Sequence, residues 1–101
     1  MDGFWNNGLI FKIYHSNTRS MARFGILALN KGKWQNEQVV NESFFRESTS
    51  SSQSINPSYG YLWWLNTEGK AWLSAPTTSY AALGAGQNTI WVDPEHDIVI
   101  V

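Results

Sequence analysis

The sequence lacks cysteine altogether among its 101 residues. This absence excludes a disulfide framework, a thiolate nucleophile and a zinc site built on cysteine ligands. It leaves the cellular compartment open, because a chain without cysteine is compatible with any redox environment.

Charge is also scarce. The chain has seven lysine and arginine residues and eight acidic residues, so its net charge is -1, and the basic residues form no cluster in the sequence. Nucleic-acid binding is therefore not expected, since it requires clustered cations to displace the counterions of the phosphates. No apolar run approaches the roughly 20 residues that span a bilayer, so no membrane span is expected either.

Aromatic residues are abundant in contrast. Phenylalanine, tryptophan and tyrosine make up 15% of the chain, including six tryptophans. Each such side chain brings about 150–250 Å² of surface that is stabilised by burial. Either the core is unusually aromatic, or some rings face a ligand or a partner.

Local patterns in the first half predict short elements joined by polar segments. Residues 9–14 are typical of an extended segment, and Ser16 or Asn17 is suited to cap a helix that begins near Thr18. Residues 20–30 are apolar on almost every face, which predicts a buried helix that ends before Gly32. Asn41 is suited to cap a second helix over residues 42–48, and the serine-rich residues 48–58 predict an exposed loop.

The second half indicates strands. Residues 59–65 predict an aromatic strand in which Trp63 and Trp64 point to opposite faces, followed by a turn at 66–70 and a return strand at 71–73. Residues 88–92 and 98–101 predict a β-hairpin closed by a turn at 93–97. For Trp63 and Trp64, packing in a core or interface is favoured over stacking on a sugar ring.

The motifs of common hydrolases are missing. There is no Gly-x-Ser-x-Gly, and Ser16 and Ser20 are followed three residues later by arginine where a Ser-x-x-Lys enzyme has lysine. Arginine stays protonated and cannot accept the serine proton. His96 lies among acidic residues, where a solvated turn is favoured over metal binding. The sequence thus predicts no catalytic residue, no metal site and no cofactor.

Several segments nevertheless resemble, in order and spacing, the C-terminal part of the serine β-lactamase-like hydrolases, a group that includes penicillin-binding-protein-like esterases and 6-aminohexanoate-dimer hydrolases. The segments are Tyr14-His-Ser, Ser20-Met-Ala-Arg-Phe-Gly-Ile-Leu, Asn30-Lys-Gly-Lys-Trp, Tyr59-Gly-Tyr-Leu-Trp-Trp-Leu and Ala82-Leu-Gly-Ala-Gly-Gln, which continues through Ile90-Trp-Val-Asp-Pro to Ile98-Val-Ile-Val.

The resemblance implies an α+β fold in which helices pack on a small antiparallel sheet, a partial β-lactamase/transpeptidase-like fold. Residues 82–101 would form neighbouring strands, and residues 21–29 a buried helix. It further implies a parent enzyme that attacks small-molecule amides or esters through an acyl-serine intermediate. The family's third motif, Lys-Thr-Gly, would fall near Ser79-Tyr80-Ala81, where lysine is absent. The expected substrate-cleft residues are Ser79, Tyr80, Ala81 and Ala82.

The family's other two motifs, Ser-x-x-Lys and Tyr-x-Asn, do not occur in the chain. We therefore expect residues 1–101 to form a single domain that is a piece of a larger β-lactamase-like domain and is inactive alone. One alternative is a stand-alone structural or interaction domain that forms homo-oligomers through an exposed sheet edge and aromatic surface. A less favoured alternative is a sugar-binding module. Substrate, compartment and oligomeric state are left open by the sequence.

Overall fold

The computed structural model describes residues 15–101 throughout and, earlier in the chain, the backbone of two strands at 2–6 and 9–13. The elements in chain order are β1 (Asp2–Asn6), β2 (Leu9–Ile13), α1 (Thr18–Leu29), β3 (Lys33–Trp34), β4 (Glu37–Gln38), α2 (Glu42–Ser48), β5 (Trp64–Leu65), β6 (Tyr80–Leu83), a 3-10 turn (Ala85–Gln87), β7 (Thr89–Asp93) and β8 (Ile98–Ile100). Helices and antiparallel sheets coexist, which confirms the α+β class. Neither described helix is long and apolar enough to cross a membrane.

The predicted extended segment at 9–14 corresponds to β2, with Tyr14 outside the described residues. β2 pairs with β1 in an antiparallel hairpin in which Phe4 lies opposite Phe11. The sequence patterns did not predict β1.

The helix α1 begins as predicted. The side chain of Asn17 accepts a hydrogen bond from the Ser20 amide at 2.9 Å, and Gly32 adopts a φ of +86° just beyond the helix. The prediction that this helix is buried all round is wrong for the described residues. Only Gly25 and Ala28 are buried, while Phe24 is 49% exposed. The reason is that the sheet covers a single face of α1.

A second hairpin separates the helices. β3 and β4 are joined by Gln35 and Asn36, which have φ values of +48° and +67°. Two consecutive positive φ angles are the geometry of the two-residue turns that match the twist of a hairpin. The helix α2 then begins as predicted, with Asn41 accepting a hydrogen bond from the Phe44 amide at 3.2 Å.

The main sheet has four antiparallel strands in the order β5-β6-β7-β8. The predicted strand at 59–65 is shorter than expected, because the Gly60 amide donates to the Trp63 carbonyl in a turn and only 64–65 are in β5. The predicted return strand at 71–73 is wrong, since residues 66–79 form a loop and β5 pairs with β6. The predicted hairpin at the end of the chain is confirmed by β7 and β8.

The register divides the side chains of this sheet between two faces. Leu65, Tyr80 and Val92 lie on the face that α1 covers, within a core completed by Ala28, Phe45, Trp63 and Ile90. Trp64, Ala81, Trp91 and Ile100 are cross-strand neighbours on the opposite face. One tryptophan of the adjacent pair was expected in the core, and it is Trp63, which is 7% exposed, whereas Trp64 is 39% exposed.

Candidate functional site

The strand β6 carries all the residues that the resemblance assigns to a substrate cleft, apart from Ser79 immediately before it. Ser79 is 1% exposed, Tyr80 and Ala81 are also buried, and Ala82 is half-buried. The main chain of β6 lies between β5 and β7, which pair with it on both sides. The structure therefore brings the candidates together on a central strand, and their role in a cleft stays a prediction.

The Tyr80 side chain points into an aromatic cluster. Its ring lies 5.0 Å from Trp63 and 6.4 Å from Phe45 in edge-to-face arrangements, between ring centroids. Its hydroxyl donates a hydrogen bond of 3.0 Å to the carbonyl oxygen of Ala28 in α1. Burial raises the pKa of the Tyr80 phenol well above its ordinary value. This side chain thus anchors β6 to α1 and stays protonated at neutral pH.

Asn66 organises the loop that leads into β6. Its Nδ2 donates to the carbonyl oxygens of Trp72, Ala75 and Pro76 at 3.0–3.2 Å, and its Oδ1 accepts from the Trp72 amide at 3.0 Å. Sequence reasoning treated Asn66 only as the start of a turn. An asparagine directly after an apolar strand is a signal for such an anchor, although its partners cannot be read from the pattern.

Three buried polar residues lie side by side at this end of the sheet. The Asn66 amide donates to the Ser79 carbonyl at 3.1 Å, and continuing the β6–β7 register by one step sets Ser79 opposite Asp93. Asn66 and Asp93 both have hydrogen-bond partners for their side chains, whereas the buried Ser79 hydroxyl has none within the described residues. Most buried side-chain hydroxyls in folded proteins have a hydrogen-bond partner, so a buried hydroxyl without one needs an explanation.

Asp93 and His96 form a pair in the turn between β7 and β8. The Nδ1 atom of His96 lies 2.7 Å from Oδ2 of Asp93, while Oδ1 accepts from the amides of Glu95 and His96. Burial tends to raise the pKa of Asp93, but the hydrogen bonds and charge of His96 outweigh it and lower the pKa. The same hydrogen bond to Asp93 raises the pKa of His96.

This pair has the orientation in which a carboxylate aligns a histidine base. Among the described residues, however, no serine hydroxyl is hydrogen-bonded to His96, and no group of three potential ligands could hold a metal. The imidazole is largely exposed, as expected for a solvated turn.

An apolar pocket of about 300 Å³ opens between α1, α2 and the turn at 60–63. Its walls include Phe24, Ala28, Phe44, Phe45, Leu62 and Trp63. Phe24 stacks on Trp63 with 6.0 Å between ring centroids and an angle of 6° between the planes. Among the described residues that line this pocket, the Tyr61 phenol is the one titratable group, and the other side chains offer surface for an apolar group.

Comparison with known proteins gives one informative similarity. No family model matches the chain, and no curated protein matches it. The fold is similar to a solved structure named "Putative 6-aminohexanoate-dimer hydrolase from Bacillus anthracis", with a TM-score of 0.60 and 27% sequence identity. The match covers 80% of this chain and 21% of that chain. The protein therefore has a hydrolase-like structural relative and spans about a fifth of that relative's length.

Proposed function

We propose that this chain is a C-terminal part of a β-lactamase-like serine hydrolase domain whose complete form cleaves small-molecule amides or esters. The observation that carries the proposal is the structural similarity over 80% of the chain to the protein named "Putative 6-aminohexanoate-dimer hydrolase". In such a reaction a serine oxygen attacks the carbonyl carbon, the amine or alcohol leaves, and water hydrolyses the resulting acyl ester.

In this proposal the chain supplies one wall of the cleft and the remaining polypeptide supplies the nucleophile. The wall is the start of β6 with the preceding Ser79. The Ser79 hydroxyl has no hydrogen-bond partner among the residues the structure describes, which supports this assignment, since a substrate or a neighbouring segment of the domain would satisfy it. The hydrogen bond from Tyr80 to Ala28 holds β6 in position, which makes Tyr80 a positioning residue.

The isolated chain is inactive in this proposal, because no serine is followed three residues later by lysine. The test is incubation of the purified chain with a fluorophosphonate and, separately, with a penicillin, followed by intact mass measurement. We expect no adduct, while an active serine hydrolase labelled in parallel gives a stoichiometric one. Stoichiometric labelling of any serine in the folded chain would refute the proposed inactivity.

The cleft assignment is tested in a longer protein that contains this sequence together with an upstream Ser-x-x-Lys. There we expect Ser79→Ala to raise KM or lower kcat by roughly threefold to tenfold, as for loss of one hydrogen bond. Ser74→Ala, in the exposed part of the same loop, is the matched control. Unchanged kinetics for both Ser79→Ala and Tyr80→Phe would count against a cleft at β6.

A further inference from the structure

The turn between β7 and β8 contains the Asp93–Pro94 peptide bond, and the sequence holds no other Asp-Pro pair. An aspartyl–prolyl bond is sensitive to acid, because the aspartate side chain can attack its own main-chain carbonyl. The proline nitrogen belongs to a tertiary amide and leaves as a secondary amine, which accepts a proton more readily than an ordinary amide nitrogen. The chain therefore contains a peptide bond that its own side chain can break.

The cleavage is an acyl transfer within Asp93. An oxygen of its side-chain carboxylate attacks the main-chain carbonyl carbon of the same residue and closes a cyclic anhydride. The bond from that carbon to the Pro94 nitrogen breaks as the nitrogen takes a proton from the acidic solvent. Water then opens the anhydride, which leaves a free main-chain carboxyl group on Asp93 and a new amino terminus at Pro94.

Both carboxylate oxygens of Asp93 are bound to donors in the folded chain. Oδ1 accepts from the amides of Glu95 and His96 at 3.0 and 3.2 Å, and Oδ2 lies 2.7 Å from Nδ1 of His96. The Asp93 side chain is only 4% exposed, so water does not readily replace these donors. An oxygen can attack the carbonyl carbon only after it gives up its donors, because a hydrogen-bonded carboxylate is held in place and is a weaker nucleophile.

We propose that the pair of Asp93 and His96 protects a site of acid-promoted self-cleavage, and that the Asp93–Pro94 bond breaks when this pair is released. The inference depends on the turn alone and not on the proposed hydrolase origin.

The groups around Asp93 keep the pair closed in mild acid. Burial opposes ionisation of Asp93, but the hydrogen bonds and charge of His96 outweigh it and lower the pKa of the carboxyl. The hydrogen bond and charge of Asp93 raise the pKa of His96, and the charge of Glu95 adds to this effect. Ser79 and Ile98, which lie opposite Asp93 in the registers of the two neighbouring strands, are uncharged. Release therefore follows protonation of Asp93 or unfolding of the turn.

Cleavage separates residues 94–101 from the rest of the chain, including the whole of β8. In the intact chain Val99 of β8 lies close to Gly25 of α1. Loss of this strand uncovers part of the helix, so the cut chain is less stable than the intact one and cannot restore the sheet by refolding.

Acid incubation of the purified chain, followed by intact mass measurement over time, tests the proposal. The pH is set just above 3.8, the ordinary pKa of this carboxyl. There we expect the folded wild type to release residues 94–101 at least about tenfold more slowly than the same chain in urea, as for loss of one hydrogen bond to a charged group. Equal rates in the two states, or no cleavage at this bond in urea, would overturn the proposal.

Three variants separate the role of the pair from general unfolding. His96→Ala frees Oδ2 of Asp93 and should speed cleavage of the folded chain by about threefold to tenfold. Asn17→Ala removes the cap of α1 and lowers stability without touching the turn, so it should cleave at the wild-type rate while folded. Pro94→Ala replaces the tertiary amide and should give far less cleavage in urea than the wild type. His96→Ala cleaving no faster than Asn17→Ala would refute the protective role of the pair.

Discussion

The hydroxyl of Tyr80 in β6 donates a 3.0 Å hydrogen bond to the carbonyl of Ala28 in α1, and both residues are buried. The Ala28 carbonyl also accepts from the Lys31 amide at 2.9 Å, where the helix ends. One side chain therefore fixes the central strand of the sheet to the last turn of the helix. The candidate cleft residues depend on this contact for their position.

Replacing Tyr80 by phenylalanine should lower the free energy of unfolding by about 1 kcal/mol, the usual net value of one buried hydrogen bond. The loss is limited because the Ala28 carbonyl keeps its bond to Lys31. Urea denaturation, followed by tryptophan fluorescence, measures this loss in the free energy of unfolding. Tyr61→Phe is the control, because the Tyr61 hydroxyl contacts Glu47 at an exposed site, where loss of the hydrogen bond should lower the free energy of unfolding less than at Tyr80.

Tyr80 should also make the protein sensitive to alkali. Burial raises the folded-state pKa of Tyr80 above its ordinary value of 10.0. Its contribution to stability is therefore complete below pH 10 and is lost as the pH rises toward the folded-state pKa. The free energy of unfolding of the wild type should fall more steeply above pH 10 than that of Tyr80→Phe. Parallel curves for the two proteins would contradict the burial of a neutral phenol.

The helix α1 lies close to the sheet at Gly25. A Cβ atom added there would lie 2.4 Å from Cγ1 of Val99 and 3.0 Å from Cγ2 of Ile90. Gly25→Ala should therefore destabilise the fold by about 1–3 kcal/mol, although alanine favours helices by about 1 kcal/mol over glycine. A double-mutant cycle with Val99→Ala should show favourable coupling, because the smaller side chain makes room. Full additivity of the two changes would argue against the close approach.

Features set by near neighbours could be predicted from the sequence. The caps Asn17 and Asn41 bond to amides three residues later, and the β7–β8 hairpin closes through a short turn, so local patterns were sufficient. The true partner of β5 could not be predicted, because Leu65 pairs with Tyr80 across a long loop. The exposure of Phe24 was missed for a similar reason, since it depends on which faces of α1 the sheet covers.

For the candidate site, the sequence identified the segment but not its environment. The resemblance pointed to Ser79–Ala82, and nothing in the local pattern indicated that Tyr80 is anchored to Ala28 or that Ser79 lies beside Asn66. These contacts join residues far apart in the chain, so they arise only when the sheet is assembled.

Asn66 should be the most sensitive polar position of the loop at 66–79. Asn66→Ala removes one acceptor and leaves the Trp72 amide and three carbonyl groups without this partner. We expect a loss of about 2–4 kcal/mol in the free energy of unfolding, together with faster limited proteolysis within the loop. Asn56→Ala, which removes one exposed hydrogen bond to the Ser58 amide, is the matched control. Equal protease resistance of the two variants would refute the anchoring role.

The pair of Asp93 and His96 should give the fold a stability maximum at mildly acidic pH. The pKa of His96 is raised in the folded state, so its pairing with Asp93 contributes fully to the free energy of unfolding below pH 6.5, the ordinary pKa of histidine. This contribution is lost as the pH rises through the folded-state pKa. The pKa of Asp93 is lowered in the folded state, so its contribution to the free energy of unfolding is complete above pH 3.8, the ordinary pKa of this carboxyl. This contribution is lost as the pH falls through the folded-state pKa. Both contributions are therefore present together between pH 3.8 and 6.5.

Thermal unfolding of the wild type and of Asp93→Asn between pH 3 and 9 tests this expectation. Asparagine keeps an oxygen that can accept from the Glu95 and His96 amides but removes the charge that faces the imidazole. The difference in Tm between the two proteins should be largest between pH 3.8 and 6.5 and should shrink on either side. Glu95→Gln, a neighbouring charge with a smaller effect on the pKa of His96, should leave most of this profile in place. A constant difference across the whole range would mean that Asp93 acts through its backbone hydrogen bonds alone.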